Sequence, residues 1–313
     1  MPTPTQQTLW LFAGIGAVLV AASLIGQALS AIVARGRPHG VIDNLNARIK
    51  AWWAIVVLAA FAFLLGRPGV TLLFLLVSYA ALREFVPPAT RAGDRHAFAV
   101  GAFVVLPLQY LLVYAGGYGL YALFVPIAVF LLLPIVVAAS PASRRDADRI
   151  ATMQWGLVLC VYCLSHVPAL ATLDIPGYEG RGLLLVAFLV LVAQASDVLQ
   201  YVWGKFLGRR PLAPSISPAK TWEGLVGGVA SATALGAALY SITPFDPWQA
   251  ALMAFAVNAL GIAGGLVLSA IKRSRGIKDW SLLIDGHGGM LDRVDSLVFA
   301  APVFFHLTRW LWT

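Results

Sequence analysis

Ser269 to Asp295 reads SAIKRSRGIKDWSLLIDGHGGMLDRVD, and this stretch decides how the whole chain is read. Lys272, Arg273, Arg275, Lys278 and Arg293 alternate with Asp279, Asp285, Asp292 and Asp295, and His287 leads into a Gly288-Gly289 pair. Apolar runs flank the segment on both sides. Charge at this density beside a membrane span is costly unless it binds something. Cations, carboxylates and glycines in alternation are what a metal–polyphosphate site requires. Mg²⁺ takes one or two carboxylates and completes its shell with phosphate oxygens and water. Lysine and arginine neutralise phosphate, and glycines let backbone N–H groups approach it closely. If the chain is helical from Leu291, Asp292 and Asp295 share one face at the start of the last span.

Outward from this segment the chain is greasy. Of 313 residues, 60% are hydrophobic and 12% are charged, with a mean hydropathy of +0.82. A soluble domain carries about twice that share of charge. The composition indicates an all-α, polytopic integral membrane protein. Two cysteines make no disulfide framework. The net charge of +8 fits loops facing an anionic leaflet. It does not fit nucleic-acid binding, because no basic tail or soluble module is present to hold a polynucleotide. The first apolar run is too long for a cleaved signal, and its charges follow it, so it reads as an uncleaved span.

Runs of about 20 apolar residues are the unit of a membrane bundle. Ten are found, at 9–33, 51–66, 70–84, 97–115, 118–139, 152–172, 182–203, 224–243, 248–271 and 296–312. Gly66-Arg67-Pro68-Gly69 marks a tight turn or an interfacial break between the second and third. All but three of the 22 Lys and Arg residues, the exceptions being Arg67, Arg181 and Arg309, fall at the odd-numbered connections. By the positive-inside rule this alternation predicts ten spans, both termini outside, and the odd connections in the cytoplasm of a cell that carries the protein in its inner membrane. One integral-membrane domain is expected over 1–313. Residues 1–181 form a plainer helical part, and 182–313 carry the site.

A second constellation supports the first. Asp197 lies inside the seventh span, where a carboxylate costs roughly 2.5–3.5 kcal/mol unless it faces a cation or a polar cavity. Ser217, Pro218, Lys220, Thr221, Trp222, Glu223 and Gly224 precede the eighth span. Ser217 and Thr221 bring hydroxyl donors, Lys220 a point charge for phosphate, and Trp222 a stacking surface or an interface anchor. Weaker signals have plainer readings. Cys160, Cys163 and His166 share a helix face but read as buried core residues. Glu84, beside Arg83, reads as a local or interhelical ion pair. Residues 44–53, NLNARIKAWW, read as an interfacial segment with tryptophan anchors.

The two constellations together resemble the phosphatidate cytidylyltransferase (CDP-diacylglycerol synthase) family. Its long C-terminal pattern is matched by Ser269, Lys272, Arg273, Lys278, Asp279, His287, Gly288, Gly289, Asp292, Arg293 and Asp295. Its upstream S-P-x-K-T-W-E-G is matched at 217–224, and an acidic residue ahead of Y-x-x-G is matched by Asp197, Tyr201 and Gly204. The resemblance covers about 195–296. Two positions depart from the pattern. Asp285 stands where the family usually has Pro or Gly. Gly265 stands where many members carry an aspartate that the resemblance implies is a metal ligand.

The resemblance implies an enzyme that joins CTP to phosphatidate, giving CDP-diacylglycerol and pyrophosphate, with Mg²⁺ and possibly a second cation. Asp292, Asp279, Asp197 and Asp295 are then the metal-ligand candidates. Lys272, Arg273, Lys278 and Arg293 bind the triphosphate or the lipid phosphate. Ser217, Lys220 and Thr221 form the opposite wall, and His287, Gly288 and Gly289 contact a phosphate oxygen or brace the turn. Asp292, Asp279, Lys272 and Arg293 are expected to carry catalysis. The expected partners are CTP, phosphatidate or a related anionic lipid, and the bilayer; a homodimer is compatible with the sequence. Two alternatives stay open: a CTP-dependent kinase of a polyprenol-type lipid, and a non-catalytic lipid-binding relative.

Overall fold

The computed structural model describes residues 3–34, 37, 39–86, 97–138, 146–281 and 288–313. Asp285, Gly286 and His287 therefore lie outside the described residues, as do several loop cations. Among the described residues ten helical segments follow one another. They are α1 (Pro4–Val33), α2 (Gly40–Leu64), α3 (Gly66–Phe85), α4 (Ala97–Ala115), α5 (Tyr118–Ile135), α6 (Ile150–Thr172), α7 (Gly182–Leu207), α8 (Trp222–Ala238), α9 (Pro247–Ser274) and α10 (Leu291–Trp312).

Each expected apolar run maps onto one helix, with three differences. First, α2 begins eleven residues earlier than its apolar run, because 40–50 continue the helix. Asn46 donates to Ser30 Oγ at 2.9 Å and Trp53 Nε1 donates to Ser23 Oγ at 3.0 Å, which fastens this extension along α1. Second, eight of the ten helices are long and apolar enough to cross a membrane, which makes this a polytopic membrane protein. The other two are α8, whose 17 residues span about 26 Å against a hydrocarbon core of about 30 Å, and α10, which carries Asp292, Arg293, Asp295 and Arg309. Third, the all-α architecture carries one short hairpin. Pro211–Ala213 (β1) and Ser217–Thr221 (β2) form an antiparallel hairpin between α7 and α8. The turn residues Pro214 and Ser215 end the first strand, and Glu223 Oε2 accepts the Arg209 and Arg210 N–H groups at 3.0 and 3.2 Å.

Local chemistry sets the helix ends near the site. Asp246 and Gln249 form a reciprocal capping box at the start of α9, with Pro247 in the first turn. Thr221 caps α8, its Oγ1 accepting from Gly224 N at 3.1 Å. The end of α9 is a Schellman turn. Ile277 N donates to Lys272 O and Gly276 N to Arg273 O, with Gly276 at φ +70°. This turn reverses the chain just after the basic cluster, so that Asp279 comes back toward Lys272.

The core is continuous across both halves of the chain. Helix α6 is its most enclosed member, with 72% of its apolar window buried, whereas α1 and α2 are at 11% each and lie on the periphery. Helix α7 packs chiefly on α8, and α9 on α10. A Cβ at Gly264 would sit 3.0 Å from Asp295 O, and one at Gly261 3.0 Å from Ser296 O. The missing side chains let the backbones of α9 and α10 approach, and this approach places the start of α10 against the end of α9.

Candidate functional site

Lys272 on the last full turn of α9 is the anchor. Its ammonium is 2.6 Å from Asp292 Oδ1, and both side chains are about nine-tenths enclosed. An isolated ammonium at this depth would be strongly disfavoured, so the pair forms because neither partner can be left alone. Asp292 Oδ2 accepts from Trp280 N at 3.0 Å and Gly289 N at 2.9 Å. Both oxygens of Asp292 therefore have donors before any substrate arrives. Gly288, at φ +77°, carries the chain past this carboxylate. A Cβ there would lie 2.8 Å from Asp292 Oδ2 and 3.5 Å from the Asp279 Cβ, so Asp292 and the base of Asp279 both flank Gly288.

A second pair of acids lies alongside. Asp197 on α7 and Asp295 on α10 are within electrostatic reach of each other, and Lys220 is within reach of both. Asp295 Oδ1 accepts from Ser296 N at 2.8 Å. The side chain that Gly265 lacks would begin 3.4 Å from Asp295 Oδ2 and 3.5 Å from Lys220 Nζ. A narrow cleft lined by Ser196, Asp197, Gln200, Asn258 and Ser296 runs beside Asp197, which meets the requirement that an acid inside a span face polar surroundings. Arg293 lies among Asp292, Asp295 and Asp197, and its carbonyl accepts from Gln194 Nε2 at 3.1 Å.

Several of the candidate substrate-binding residues also make contacts within the protein. Arg273 Nε donates to Ile216 O and its Nη1 to Ile277 O, both at 3.1 Å, tying the hairpin to the turn after α9. Thr221 Oγ1 is engaged as a helix cap. Ser217 opens β2, paired with Ala213. The N–H group of Gly289, which the Gly-Gly pair was expected to offer to phosphate, is taken by Asp292. The next two N–H groups of this turn, those of Met290 and Leu291, are taken by Glu84 at 2.8 Å each. Lys278 and Asp279 stand exposed. Burial beneath Phe85 and Trp280 lowers the pKa of the neighbouring Arg275 from its usual value.

Two residues with a place here were not read as site residues. Glu84, which the sequence presents as one half of a local or interhelical ion pair, carries a single signal, a carboxylate at the end of an apolar run. Arg48, in the segment read as interfacial, lies 5.6 Å over the ring of Tyr201 on α7. The Cys160–Cys163–His166 face is buried in the core, and both thiols are free.

The donor set bears on a metal. Among the described residues no three Asp, Glu, His or Cys side chains converge on one point. The protein supplies carboxylates in pairs, the number Mg²⁺ takes when phosphates complete its shell.

Comparison with known proteins agrees with this geometry. A family described as the Cytidylyltransferase family matches residues 46–311. The chain is 37% identical to a protein titled "Uncharacterized protein YnbB" from Escherichia coli K12, over 94% of this chain and 96% of that one. It is 38% identical to the phosphatidate cytidylyltransferase of Haemophilus influenzae, over 40% of this chain and 45% of that enzyme. It is 44% identical to that of Aquifex aeolicus, over 35% of this chain and 41% of the enzyme. The match thus spans less than half the length of either of these two named enzymes. With the family pattern covering most of its length and its acids and cations gathered at one end of the bundle, the chain belongs to the Cytidylyltransferase family.

Proposed function

We propose that the protein transfers the cytidylyl group of CTP to the phosphate of a membrane lipid, with phosphatidate as the acceptor, giving CDP-diacylglycerol and pyrophosphate. The observation that carries this reading is the gathering of Lys272–Asp292, Asp279, Lys220, Asp197, Asp295 and Arg293 where α7, α9, α10 and the β-hairpin meet.

The chemistry asks little covalent work of the protein. A phosphomonoester oxygen of the lipid attacks the α-phosphorus of CTP. A new P–O–P linkage forms, the bond between the α- and β-phosphates breaks, and pyrophosphate leaves with the electron pair. The attacking oxygen is already anionic, so no side-chain base is needed. The requirement is to hold two anions that repel each other in line and to neutralise the leaving group. Asp197 and Asp295 are suited to hold Mg²⁺, which supplies charge neutralisation at the phosphate oxygens. Lys220, beside that pair, meets the triphosphate, and Arg293 lies on its other side. Exposed Lys278 receives the outer phosphates. Lys272 and Asp292 fix the floor: the bridge holds the end of α9 against the start of α10 and so sets where Asp295 lies, one turn further along.

The test is purified protein in liposomes with α-labelled CTP and Mg²⁺, offered phosphatidate or a polyprenol. Labelled CDP-diacylglycerol and stoichiometric pyrophosphate are expected with phosphatidate. Release of CDP with the polyprenol would move the assignment to a lipid kinase, and no turnover with either would reject catalysis on these acceptors.

A further inference from the structure

We propose that Glu84, near the end of α3, is a positioning residue: it caps helix α10 from outside and so sets the place of Asp292. The inference rests on the functional reading above and adds to it a role for the first half of the chain.

The first N–H groups of a helix have no partner inside it, and the helix dipole favours a carboxylate beside them. In α10 the residue before the helix, Met290, is itself helical at φ −62° and ψ −42° and offers no side-chain cap. A carboxylate 206 positions earlier fills the gap. Glu84 Oε1 accepts from Met290 N at 2.8 Å and from Ser281 Oγ at 2.7 Å, and Oε2 accepts from Leu291 N at 2.8 Å. Asp292 Oδ2 takes the adjacent donor, Gly289 N. Two carboxylates, one from α3 and one from α10 itself, thus share successive donors of one turn. Moving the first displaces the second, and with it the 2.6 Å bridge to Lys272.

Two further contacts show that this is a fitted joint. A Cβ on Gly289 would lie 2.4 Å from Glu84 Oε2 and 2.7 Å from its Cδ, so the carboxylate occupies the space that any other residue at 289 would need. Beside it, Arg275 stacks 4.5 Å from the Phe85 ring and donates through Nη1 to Phe85 O at 2.5 Å. The segment between α9 and α10 therefore grips two consecutive residues of α3.

The experiment is a cycle of four proteins: wild type, Glu84→Ala, Gly289→Ala and the double variant, with Glu84→Gln as an isosteric control. Glutamine has one acceptor oxygen and cannot serve three donors. Glu84→Gln is expected to lower kcat at least tenfold while the KM values for CTP and lipid stay within twofold, the split expected when alignment rather than binding is lost. Gly289→Ala should lower kcat comparably in the presence of Glu84 and by less than twofold in its absence, because the methyl group then enters vacated space. Thermal unfolding of the same four proteins without substrate should show the same non-additivity. A kcat for Glu84→Gln within twofold of wild type, or additive losses around the cycle, would overturn the proposal. If the wild type releases no pyrophosphate, the functional reading falls and the unfolding cycle alone decides the joint, with additive midpoints overturning it.

Discussion

Two pairs of aspartates stand at the same end of the molecule and differ in how they are held. Asp279 and Asp292 flank Gly288, and Asp292 has a lysine on one oxygen and two backbone donors on the other. Asp197 and Asp295 face each other beside Gly265, with Lys220 as the nearby cation and one local backbone donor on Asp295. The first pair contains a finished structural junction. The second sets two acids near each other with Lys220 and Arg293 close by, and in the proposed reading it gains from an added cation. In the proposed reading Asp292 and Asp295, acids of one sequence motif, take opposite parts: one builds the floor, and the other is the candidate ligand for a divalent ion.

The strongest way to break this contrast is to make the same substitution on each side. Asp292→Asn should leave buried Lys272 without its counter-charge, at roughly 3 kcal/mol. Pyrophosphate release should fall at least a hundredfold, and the unfolding midpoint should drop by several degrees. Asp295→Asn should cost a similar hundredfold in turnover but leave the midpoint unchanged or raised, because it relieves a repulsion with Asp197. Equal loss of stability in the two variants would erase the distinction. A smaller effect is expected from Lys220→Met. It removes the cation shared by the open pair, so the KM for CTP should rise about tenfold, with kcat changed less. The smallest concerns Gly265→Asp. A Cβ there meets its neighbours at 3.4 Å or more, which is ordinary contact, and points the new side chain toward Asp295 and Lys220. It adds a third carboxylate where the pair lacks one, and half-maximal activity should come at two- to fivefold lower Mg²⁺, with maximal turnover within threefold of wild type. An unchanged Mg²⁺ titration would show that the ion does not sit between Asp197 and Asp295.

Much of this was legible in the chain itself. The apolar runs gave the number and order of the helices because burial in hydrocarbon is a property of local composition. The charged segments 217–224 and 269–295 announced the polar end of the bundle, because charge next to a span is costly unless it finds a partner. The contacts that the sequence did not announce have physical causes. The helical extension of α2 at 40–50 is polar and lacked an apolar signal; it is held by Asn46 and Trp53 reaching hydroxyls on α1. Thr221 and Arg273 have side chains suited equally to phosphate and to protein carbonyls or N–H groups, and the choice depends on neighbours that the sequence does not reveal. Glu84 was mistaken for an ion pair because its partners are backbone N–H groups, which every residue but proline carries and which no sequence pattern marks.

The amino-acid sequence by itself determined a greasy bundle of ten helices, its polar end, and the kinds of groups available there for phosphate and metal. The tertiary structure decided which of those groups are already spent. Composition sets the solvent each segment prefers, one residue at a time. Whether an oxygen or an N–H remains open to a substrate depends on what lies across from it, and here those facing groups come from α3, α7 and the hairpin, far away along the chain.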